Sequence, residues 1–542
     1  MIGVITNSAD SAVVREFFEL FKTPWEVYES GRFYEVVLCT GDVDLQHIAS
    51  ALVVVYSDRK ALCDSVSLLR QRGGRMLSYG NACIPVYGEC LTFAGKESGV
   101  LTDQESREPA AYIERSGQTV IAQIGYDLFA EVRFLLTEGQ PVSNAGIPTL
   151  ELHIAVLRDL IIANGVHLIE IPPVPAGYRF IACLTHDVDH PSIRLHRFDH
   201  TCLGFLYRAI FGSVINMARR RATVRHVLTN WTAALKLPFV YLGWARDFWK
   251  EFEHYPALAS GLPSTFFVIP VQGNPGRHSN GCAPRERASR YGAADIRDSI
   301  NTLKAAGCEI GLHGIDAWRD DVRARDEMQQ LRRVTQSEKL GVRMHWLYFD
   351  QHSPAVLDNA GIDYDSTVGY NEAVGYRAGT AQAYKPLGAE RLLELPLIIM
   401  DTALFFPRRQ SLSAEQARVQ IEAILDNAAE HGGCVTVNWH DRSISPERNW
   451  GAFYTEMIQG VKMRGVWFAT ATQVVAWFRK RRSAVFKDVS YESQGLRVRT
   501  VVRDEDPDLP ALQLHVTSGE SFQNVLLCTD DSDRVIDLID YV

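Results

Sequence analysis

Two carboxylates and two imidazoles stand within residues 186–190, directly after an apolar run, and this cluster is the strongest chemical signal in the sequence. The run 180–184 lacks helical periodicity, so it predicts a short strand buried on both faces. Alternate residues of a strand share a face, which places Asp187 and Asp189 together and His186 opposite. Two carboxylates on one face beside an apolar strand are costly unless a metal or a reaction uses them. A helix N-cap or a surface turn is the alternative, but neither accounts for the whole cluster.

Three further predicted strands also end in polar side chains. The runs 309–314 and 435–441 end in His313 and His440, and the run 342–349 carries Arg343 and His345 on one face. The carboxyl ends of the strands carry the chemistry in an α/β barrel, so we expect these side chains to meet the Asp pair. Asp and His side chains that converge form a ligand set for a divalent metal. A lone histidine at a strand end is more often structural, but that explanation is weaker for three on separate strands.

Strand and helix signals alternate between residues 174 and 482, and these elements must position the cluster. The apolar runs predicted as strands are 180–184, 264–270, 309–313, 343–349, 393–400, 435–440 and 466–469. The predicted helices are 294–306, 320–339, 414–430 and 452–462. This alternation predicts an α/β fold built on a parallel (β/α) barrel, or a distorted one. Residues 191–262 form an insertion rich in Arg, Trp and Phe, which is predicted to be helical and could cover the site.

A second α/β unit precedes the barrel. Its predicted strands are 2–6, 36–39, 52–56, 75–79, 112–115 and 119–124, and its predicted helices are 10–21, 59–71, 128–136 and 149–163. This is the element order of an open α/β sheet. The unit contains no GxGxxG run and no P-loop, so a nucleotide cofactor is not indicated. The proline-rich stretch 171–177 predicts a domain boundary, which gives a first domain of residues 1–173.

The element order of residues 1–173 is weakly similar to the class I glutamine-amidotransferase-like Rossmann domains. Those domains need a cysteine nucleophile on a tight strand-to-helix elbow. The candidate, Cys83 in Gly80-Asn-Ala-Cys-Ile84, lacks the glycine that should flank it two residues further on. We therefore interpret this domain as non-catalytic, serving as a scaffold or a partner surface.

The pattern changes again after residue 482. Four predicted strands, 496–502, 511–516, 524–528 and 535–542, follow one another without helices between them. Successive strands without helices between them are typical of an all-β unit. Residues 483–542 are therefore predicted to form a small β domain.

Composition excludes several classes of protein. A chain of 542 residues with 46% hydrophobic and 22% charged residues is typical of a soluble protein of two to four domains. The net charge of −9 argues against a general nucleic-acid binder. The ten cysteines form no CxxC pair, which argues against a zinc ribbon and favours a reducing compartment. The first residues lack the features of a signal peptide, so we expect a cytoplasmic protein.

One segment is apolar enough to be considered for membrane contact. No run of 18 apolar residues occurs, and the nearest, 202–217, is broken by Arg208 and followed by three consecutive arginines. Such a segment could lie on a membrane surface. An amphipathic helix packed on its own domain is the favoured interpretation.

A series of motifs in residues 174–482 follows an order known from one enzyme family. The motifs are Thr185-His-Asp-Val-Asp189, Ser264-Thr-Phe-Phe-Val268, Glu309-Ile-Gly-Leu-His313, Gly341-Val-Arg-Met-His345 with 361–367, Leu393-Glu-Leu-Pro396 before Asp401, and Val435-Thr-Val-Asn-Trp-His440. In this order they resemble the polysaccharide deacetylase (NodB-homology) family, carbohydrate esterase family four. The resemblance implies that Asp187 is the catalytic base, that Arg343 contacts it and that His440 is the general acid. It also implies that Asp189 and His313 bind a metal, which in this family is expected to be zinc.

The chain departs from the family's second motif. That motif has two histidines four residues apart, and the second position here is Ala317. The third metal ligand must therefore come from elsewhere or be missing. His345 is the first candidate, followed by His186 and Asp316.

Two further features leave alternatives open. Val188 separates the two aspartates of the first motif, which leaves the roles of Asp187 and Asp189 interchangeable. The segment 371–380, which includes Arg377, is polar and contains glycine. A substrate loop and a tight turn account for it equally well.

The resemblance and the site residues together predict a metal-dependent hydrolase that removes N-acetyl groups from an amino sugar or polysaccharide. Zinc is the expected metal, although an Asp and His ligand set also suits cobalt, nickel or manganese. The expected cytoplasmic location favours a carbohydrate precursor over a cell-wall polymer. The alternatives are a non-catalytic carbohydrate-binding or assembly protein with a degenerate deacetylase fold, and an amidohydrolase acting on a non-sugar amide.

Overall fold

The computed structural model describes residues 1–41, 44–45, 47–58, 68–72, 74–96, 100–219, 222–278, 280–492, 495–503, 506–519, 521–527 and 532–536. The strands up to residue 173 are β1 Ile2–Ile5, β2 Trp25–Val27, β3 Tyr34–Thr40, β4 Ser50–Tyr56, β5 Leu68–Arg72, β6 Arg75–Tyr79, β7 Ala82–Val86, β8 Glu89–Phe93, β9 Thr102–Asp103, β10 Ala111–Ser116, β11 Thr119–Ile124 and β12 Leu168–Glu170. The helices are α1 Ser11–Phe21, α2 Leu128–Thr137 and α3 Thr149–Ala163. Six of the strands form one sheet in the order β10-β11-β4-β3-β1-β2, parallel except for the antiparallel β10 at its edge.

Two predictions for residues 1–173 are affected by the structure. Residues 59–67 of the predicted helix 59–71 lie outside the described residues. The remaining residues of that prediction belong to β5, which pairs antiparallel with β8. Pairing with a neighbouring strand here outweighs the local helical pattern. Cys83 lies on β7, in an antiparallel hairpin with β6, and its sulfur is 2.9 Å from Gln104 Nε2. A hairpin strand is not a strand-to-helix elbow, so this position does not have the geometry of the amidotransferase nucleophile.

A curled parallel sheet of nine strands forms the centre of the chain. The strands of this part of the chain are β13 Ile181–Val188, β14 Ser264–Val268, β15 Arg277–His278, β16 Gly281–Cys282, β17 Glu309–Gly314, β18 Val342–Met344, β19 Tyr364–Asp365, β20 Leu393–Glu394, β21 Ile399–Met400, β22 Cys434–Asn438 and β23 Trp467–Phe468. The sheet runs β20-β19-β18-β17-β14-β13-β22-β21, with β23 also beside β13, whereas β15 and β16 form a separate hairpin. The edges β20 and β21 do not pair with each other, so the sheet curls into part of a barrel without closing.

One predicted strand is divided between the two edges of the sheet. The run 393–400 was predicted as one strand, but the structure divides it into β20 and β21. Pro396 lies between them and has no backbone N–H to donate to a neighbouring strand. The chain crosses there from one edge of the sheet to the other. Leu395 donates to the carbonyl of Asp365 on β19, and Ile398 donates to that of Thr436 on β22.

Helices cover the curled sheet. They are α4 His200–Tyr207, α5 Ser213–Ala218, α6 Val224–Tyr241, α7 Tyr255–Leu258, α8 Arg297–Ala305, α9 Asp321–Thr335, α10 Ser353–Ala360, α11 Asp401–Phe405, α12 Ala414–His431, α13 Gly451–Lys462 and α14 Ala471–Ser483. The insertion 191–262 contains α4 to α7, as its composition predicted, and a π-helical turn Arg208–Gly212 joins α4 to α5. The largest hydrophobic cluster lies between the sheet and α7 to α13, whereas α4 and α6 pack in a separate cluster.

The last strands are β24 Ala484–Glu492, β25 Gly495–Val502, β26 Leu512–Ser518, β27 Ser521–Leu527 and β28 Ser532–Ile536. They form two antiparallel groups, β24-β25-β28 and β12-β26-β27, and the second group takes β12 from the first part of the chain. One hydrophobic cluster joins Leu512 and Leu514 to Cys183 of the curled sheet and Trp477 of α14. The C-terminal strands therefore share a core with the rest of the chain.

A buried arginine joins three parts of the fold. Arg481 at the end of α14 is 1% exposed. Its guanidinium donates to the carbonyls of Glu19, Leu20 and Ile171 at 2.9, 2.9 and 2.7 Å. Burial lowers the pKa of Arg481 to about 10, so the group remains charged at neutral pH. The end of α1 and the proline-rich stretch are thus held to α14.

We expect Arg481→Met to destabilise the fold by about 3 kcal/mol, because several buried carbonyls would lose their donor. Scanning calorimetry measures this as a lower melting temperature. Arg333→Met, at an exposed position on α9, is the matched control and should melt with the wild type. Equal melting temperatures for both variants would contradict the role of Arg481.

Candidate active site

The carboxyl ends of β13, β17 and β22, together with the turn after β18, meet around a cavity of about 180 Å³. Its lining includes all the residues predicted to bind metal and two of those predicted to be catalytic, namely Asp189, His313, His345, Asp187 and His440. The parallel register of β13, β14 and β17 places their ends at one edge of the sheet. This is the edge at which α/β barrels carry their chemistry.

Asp189, His313 and His345 bring three donor atoms together. His313 Nε2 and His345 Nδ1 lie 3.0 Å apart, and each lies 3.3 Å from Asp189 Oδ1. Ligands about 2.0–2.1 Å from a tetrahedral zinc ion are roughly 3.3 Å from each other. The observed triangle therefore has the size that a small divalent cation requires.

The surroundings of the triangle prepare it for a cation. His313 Nδ1 lies 3.0 Å from the Arg343 carbonyl oxygen, so this nitrogen carries the proton and Nε2 presents its lone pair. Asp189 Oδ1 is buried, and its nearest partners among the described residues are the His313 and His345 imidazole nitrogens at 3.3 Å, longer than an ordinary N–H···O hydrogen bond. A buried carboxylate oxygen without a donor is costly unless a cation satisfies it. These residues fit a divalent metal.

His345 reaches the site by a different route from the one predicted. The run 343–349 was expected to be a strand with Arg343 and His345 on one face, but β18 ends at Met344. His345 instead begins a turn in which Trp346 and Leu347 have φ values of 66° and 56°. The turn, and not strand alternation, directs His345 toward Asp189.

The other two candidates for the third ligand lie elsewhere. His186 is on the opposite side of β13, as predicted, with Nδ1 2.8 Å from the Trp439 carbonyl oxygen and its ring stacked on Tyr255. Asp316 accepts a hydrogen bond of 2.9 Å from the Arg277 backbone N–H. Neither belongs to the described group of side chains that could hold a metal.

Asp187 is held by two partners. Arg343 Nη1 donates to Oδ1 at 3.0 Å, and Asn438 Nδ2 donates to Oδ2 at 2.7 Å. Burial alone would raise the pKa of Asp187, but the Arg343 guanidinium and nearby imidazoles hold it below its usual value. Asp187 is therefore a carboxylate at neutral pH. The sequence analysis did not single out Asn438, although a polar residue at the end of the apolar run 434–437 was a visible signal.

His440 is paired with Asp401 across the cavity wall. His440 Nδ1 lies 2.6 Å from Asp401 Oδ1, which directs Nε2 toward Asp189 Oδ2 at 3.9 Å. Asp401 is fully buried and also accepts from the Ser443 hydroxyl. Burial lowers the pKa of His440, but the Asp401 carboxylate outweighs it and raises that pKa to about 9. His440 is thus charged and able to donate a proton at neutral pH.

In the metal-free protein we expect the His440 imidazole to titrate near pH 9. Asp401→Asn removes the charge that stabilises the imidazolium, so the titration should move to lower pH. NMR of protein labelled in its histidine side chains measures both values. Asp426→Asn changes an exposed aspartate on α12 and should leave the titration where it is. An unchanged His440 pKa in Asp401→Asn would contradict the assignment.

The segment 371–380 has two roles. Asn371 lines the cavity and donates to the Trp346 carbonyl at 3.0 Å. Further on, the Arg377 carbonyl accepts from the Gln140 backbone N–H at 2.8 Å, and Gln140 Nε2 donates to the Tyr376 carbonyl at 2.6 Å. One end of the segment therefore borders the site, and the other packs against the N-terminal part of the chain.

This chain is similar to several solved structures. No protein-family model matches the chain, and no curated protein sequence matches it significantly. A structure assigned as a polysaccharide deacetylase from Mycobacterium smegmatis is 20% identical, with a TM-score of 0.35, and the match covers 57% of this chain and 94% of the other. A probable polysaccharide deacetylase from Pseudomonas aeruginosa PAO1 is 17% identical, with a TM-score of 0.36 and the same coverage.

A CE4-family pseudoenzyme from Bacillus anthracis is also similar, at 11% identity and a TM-score of 0.24, over 56% of this chain and 70% of the other. Proteins named as polysaccharide deacetylases or as CE4-family members are thus among the similar solved structures.

Proposed function

We propose that this chain is a metal-dependent hydrolase that removes N-acetyl groups from an amino sugar or polysaccharide. One observation carries the proposal. The Asp189, His313 and His345 donor triangle lies in the same cavity as an ionised carboxylate, Asp187, and a protonated imidazole, His440. A cation site between a base and an acid is the arrangement that amide hydrolysis needs.

Asp189, His313 and His345 would hold the metal. When bound there, a divalent metal polarises an amide carbonyl and lowers the pKa of water, and zinc is the ion we propose. The proposal assigns the remaining steps to side chains of the chain itself.

Asp187 is the proposed base. Its Arg343 and Asn438 contacts fix the orientation of the carboxylate and leave lone pairs on both oxygens. The low pKa keeps Asp187 ionised, so it can take a proton from the attacking water. Arg343 acts through Asp187 and is a positioning residue.

His440 is the proposed acid. Its Nδ1 is bonded to Asp401, so the proton available to a substrate is on Nε2, which faces the cavity. An amine is a poor leaving group unless it is protonated as the C–N bond breaks. His440 at neutral pH carries the proton that this step consumes.

Acetate release from N-acetylglucosamine oligomers tests the proposal. We expect the zinc-loaded wild type to release acetate and Asp187→Asn to be slower by about 100-fold or more, since general-base catalysis contributes about that factor. Asp187→Asn should still bind metal stoichiometrically, because Asp187 is not among the proposed ligands. Glu390→Gln alters an exposed carboxylate and should retain full activity.

Three outcomes would contradict the proposal. A metal-loaded wild type that releases no acetate from any acetylated glycan would contradict the substrate class. A native protein without metal would favour a non-catalytic carbohydrate-binding role. An Asp187→Asn variant as fast as the wild type would remove Asp187 from the base position.

A further inference from the structure

The helical insertion exposes an unusual amount of apolar surface. Within the described part of the chain, one helical stretch, His200–Ala218, is long and apolar enough to cross a membrane by length and composition, and only 28% of it is buried. On α6 the exposed large apolar residues are Val224, Leu228, Trp231, Leu235, Phe239 and Leu242. Their spacing of three and four residues forms one continuous outward stripe along the helix.

The two helical stretches already use their other faces. Cys202, Phe205 and Ala209 are buried against Ala233 and Leu237 in a separate hydrophobic cluster. This cluster holds the pair of helices, which we call the insertion hairpin (residues 200–244), to the rest of the protein. The outward stripe is therefore a second apolar face, beyond the one needed for folding.

The Lys and Arg side chains of the same segment are not balanced by acidic side chains. Residues 200–246 contain seven Lys or Arg and no Asp or Glu, whereas the whole chain has a net charge of −9. Exposed Arg225 and Lys236 lie on α6, which carries the stripe, and exposed Arg219 directly follows α5. Arg225, Lys236 and Arg246 also line a cavity of about 780 Å³ together with Phe239, Trp244 and a single acidic residue, Glu251. A basic surface interleaved with exposed Trp, Phe and Leu has the composition of an interfacial membrane-binding element.

We propose that the insertion hairpin docks on a bilayer containing anionic phospholipid, with its outward stripe at the level of the headgroups. The arginines then meet lipid phosphates, and the stripe enters the boundary with the acyl chains. The inference does not depend on the reaction proposed for the cavity. A membrane-surface position was the alternative interpretation of residues 202–217 from the sequence.

Two alternatives fit the insertion hairpin less well than docking on a bilayer surface. A spanning helix would have to leave the buried contacts of Phe205 and Ala209 with the fold. A second copy of this chain in a two-fold dimer would bring the same basic patch against itself, and like charges repel. Lipid phosphates complement the patch instead.

Vesicle co-sedimentation of the full chain tests the proposal. The probes are phosphatidylcholine vesicles with and without one part in three of phosphatidylglycerol. We expect binding to the anionic vesicles that weakens as salt rises to about 0.5 M. The variant L228E/W231E/L235E should lower the partition coefficient by about tenfold or more, since charges replace the apolar anchors.

A matched triple variant controls for the added charge. V322E/V419E/M463E places three glutamates at apolar positions that are equally exposed but lie outside the hairpin, at 67%, 63% and 83% exposure. It should bind vesicles far more tightly than the hairpin variant, and both should melt like the wild type. Wild type that does not bind, or a hairpin variant that binds as well as the control, would overturn the proposal. Resistance to alkaline carbonate extraction, which indicates a spanning helix, or a dimer that the hairpin substitutions dissociate would also overturn it.

Discussion

Replacing His313 with alanine is expected to leave the purified protein without stoichiometric metal and to lower kcat/KM for deacetylation by at least about 100-fold. Loss of a hydrogen-bond partner that merely orients a metal ligand lowers metal affinity or activity by about 10–100-fold. Loss of the ligand itself should lower them further. His313 provides one of three donor atoms and is oriented by the Arg343 carbonyl. Inductively coupled plasma mass spectrometry and an acetate-release assay measure the two effects.

His352→Ala is the control for this prediction, because His352 is exposed and lies outside the cavity. It should keep both metal and activity. His313→Ala with wild-type metal content would show that the Asp189, His313 and His345 triangle is not the metal site. His313→Ala that loses the metal but keeps full activity would show that the reaction does not need the metal.

Arg343→Met is expected to lower the free energy of unfolding by about 3–5 kcal/mol, because it leaves the Asp187 carboxylate buried without its counter-ion. The Arg343 side chain is fully buried and that of Asp187 is 4% exposed, so solvent cannot replace the lost contact. Arg343 also donates to Thr185 and Ser366. Denaturant unfolding near neutral pH measures the change.

The loss of unfolding free energy in Arg343→Met should depend on pH in a direction set by the Asp187 pKa. In the wild type the Asp187 pKa lies below its usual value, so its contribution is present above that usual value and is lost as pH falls through the folded pKa. Without Arg343 the Asp187 pKa rises, and protonation then relieves the unpaired charge. The gap between variant and wild type should therefore be larger near pH 7 than at about pH 5.

The double variant Arg343→Met/Asp187→Asn should be more stable than Arg343→Met alone near neutral pH, since it removes the uncompensated charge. Equal stability of the single and double variants would mean that Asp187 is already neutral when Arg343 is absent. A gap that widens on acidification would contradict the assigned ion pair.

The resemblance to deacetylases and the main strand ends could be predicted from the sequence. An apolar run that ends in Asp187 and Asp189 implies a buried strand with its chemistry at the carboxyl end, and alternation alone placed His186 on the opposite face. His313 and His440 were found by the same reasoning. Such residues are predictable because strand periodicity is local and depends only on a few neighbours.

Other features depended on long-range contacts. Strand alternation paired His345 with Arg343, but β18 ends at Met344, and the turn at Trp346 and Leu347 sets the direction of the imidazole. The predicted 393–400 strand divides into the two edges of the sheet, which leaves the barrel open. The antiparallel pairing of β12 with β26 joins residues that are far apart in the chain, and no local pattern reports such a contact.

The sequence by itself determined which residue types are available for chemistry, namely the carboxylates and imidazoles at the ends of apolar runs, and it located the segment that lacks acidic residues. Tertiary structure alone decided which of them meet. It chose His345 over His186 and Asp316 as the partner of Asp189 and His313, and it gave Asp187 and His440 their partners Asn438 and Asp401. The physical reason is that ligand geometry and pKa depend on distances of a few ångströms between residues on different strands, and only packing sets those distances.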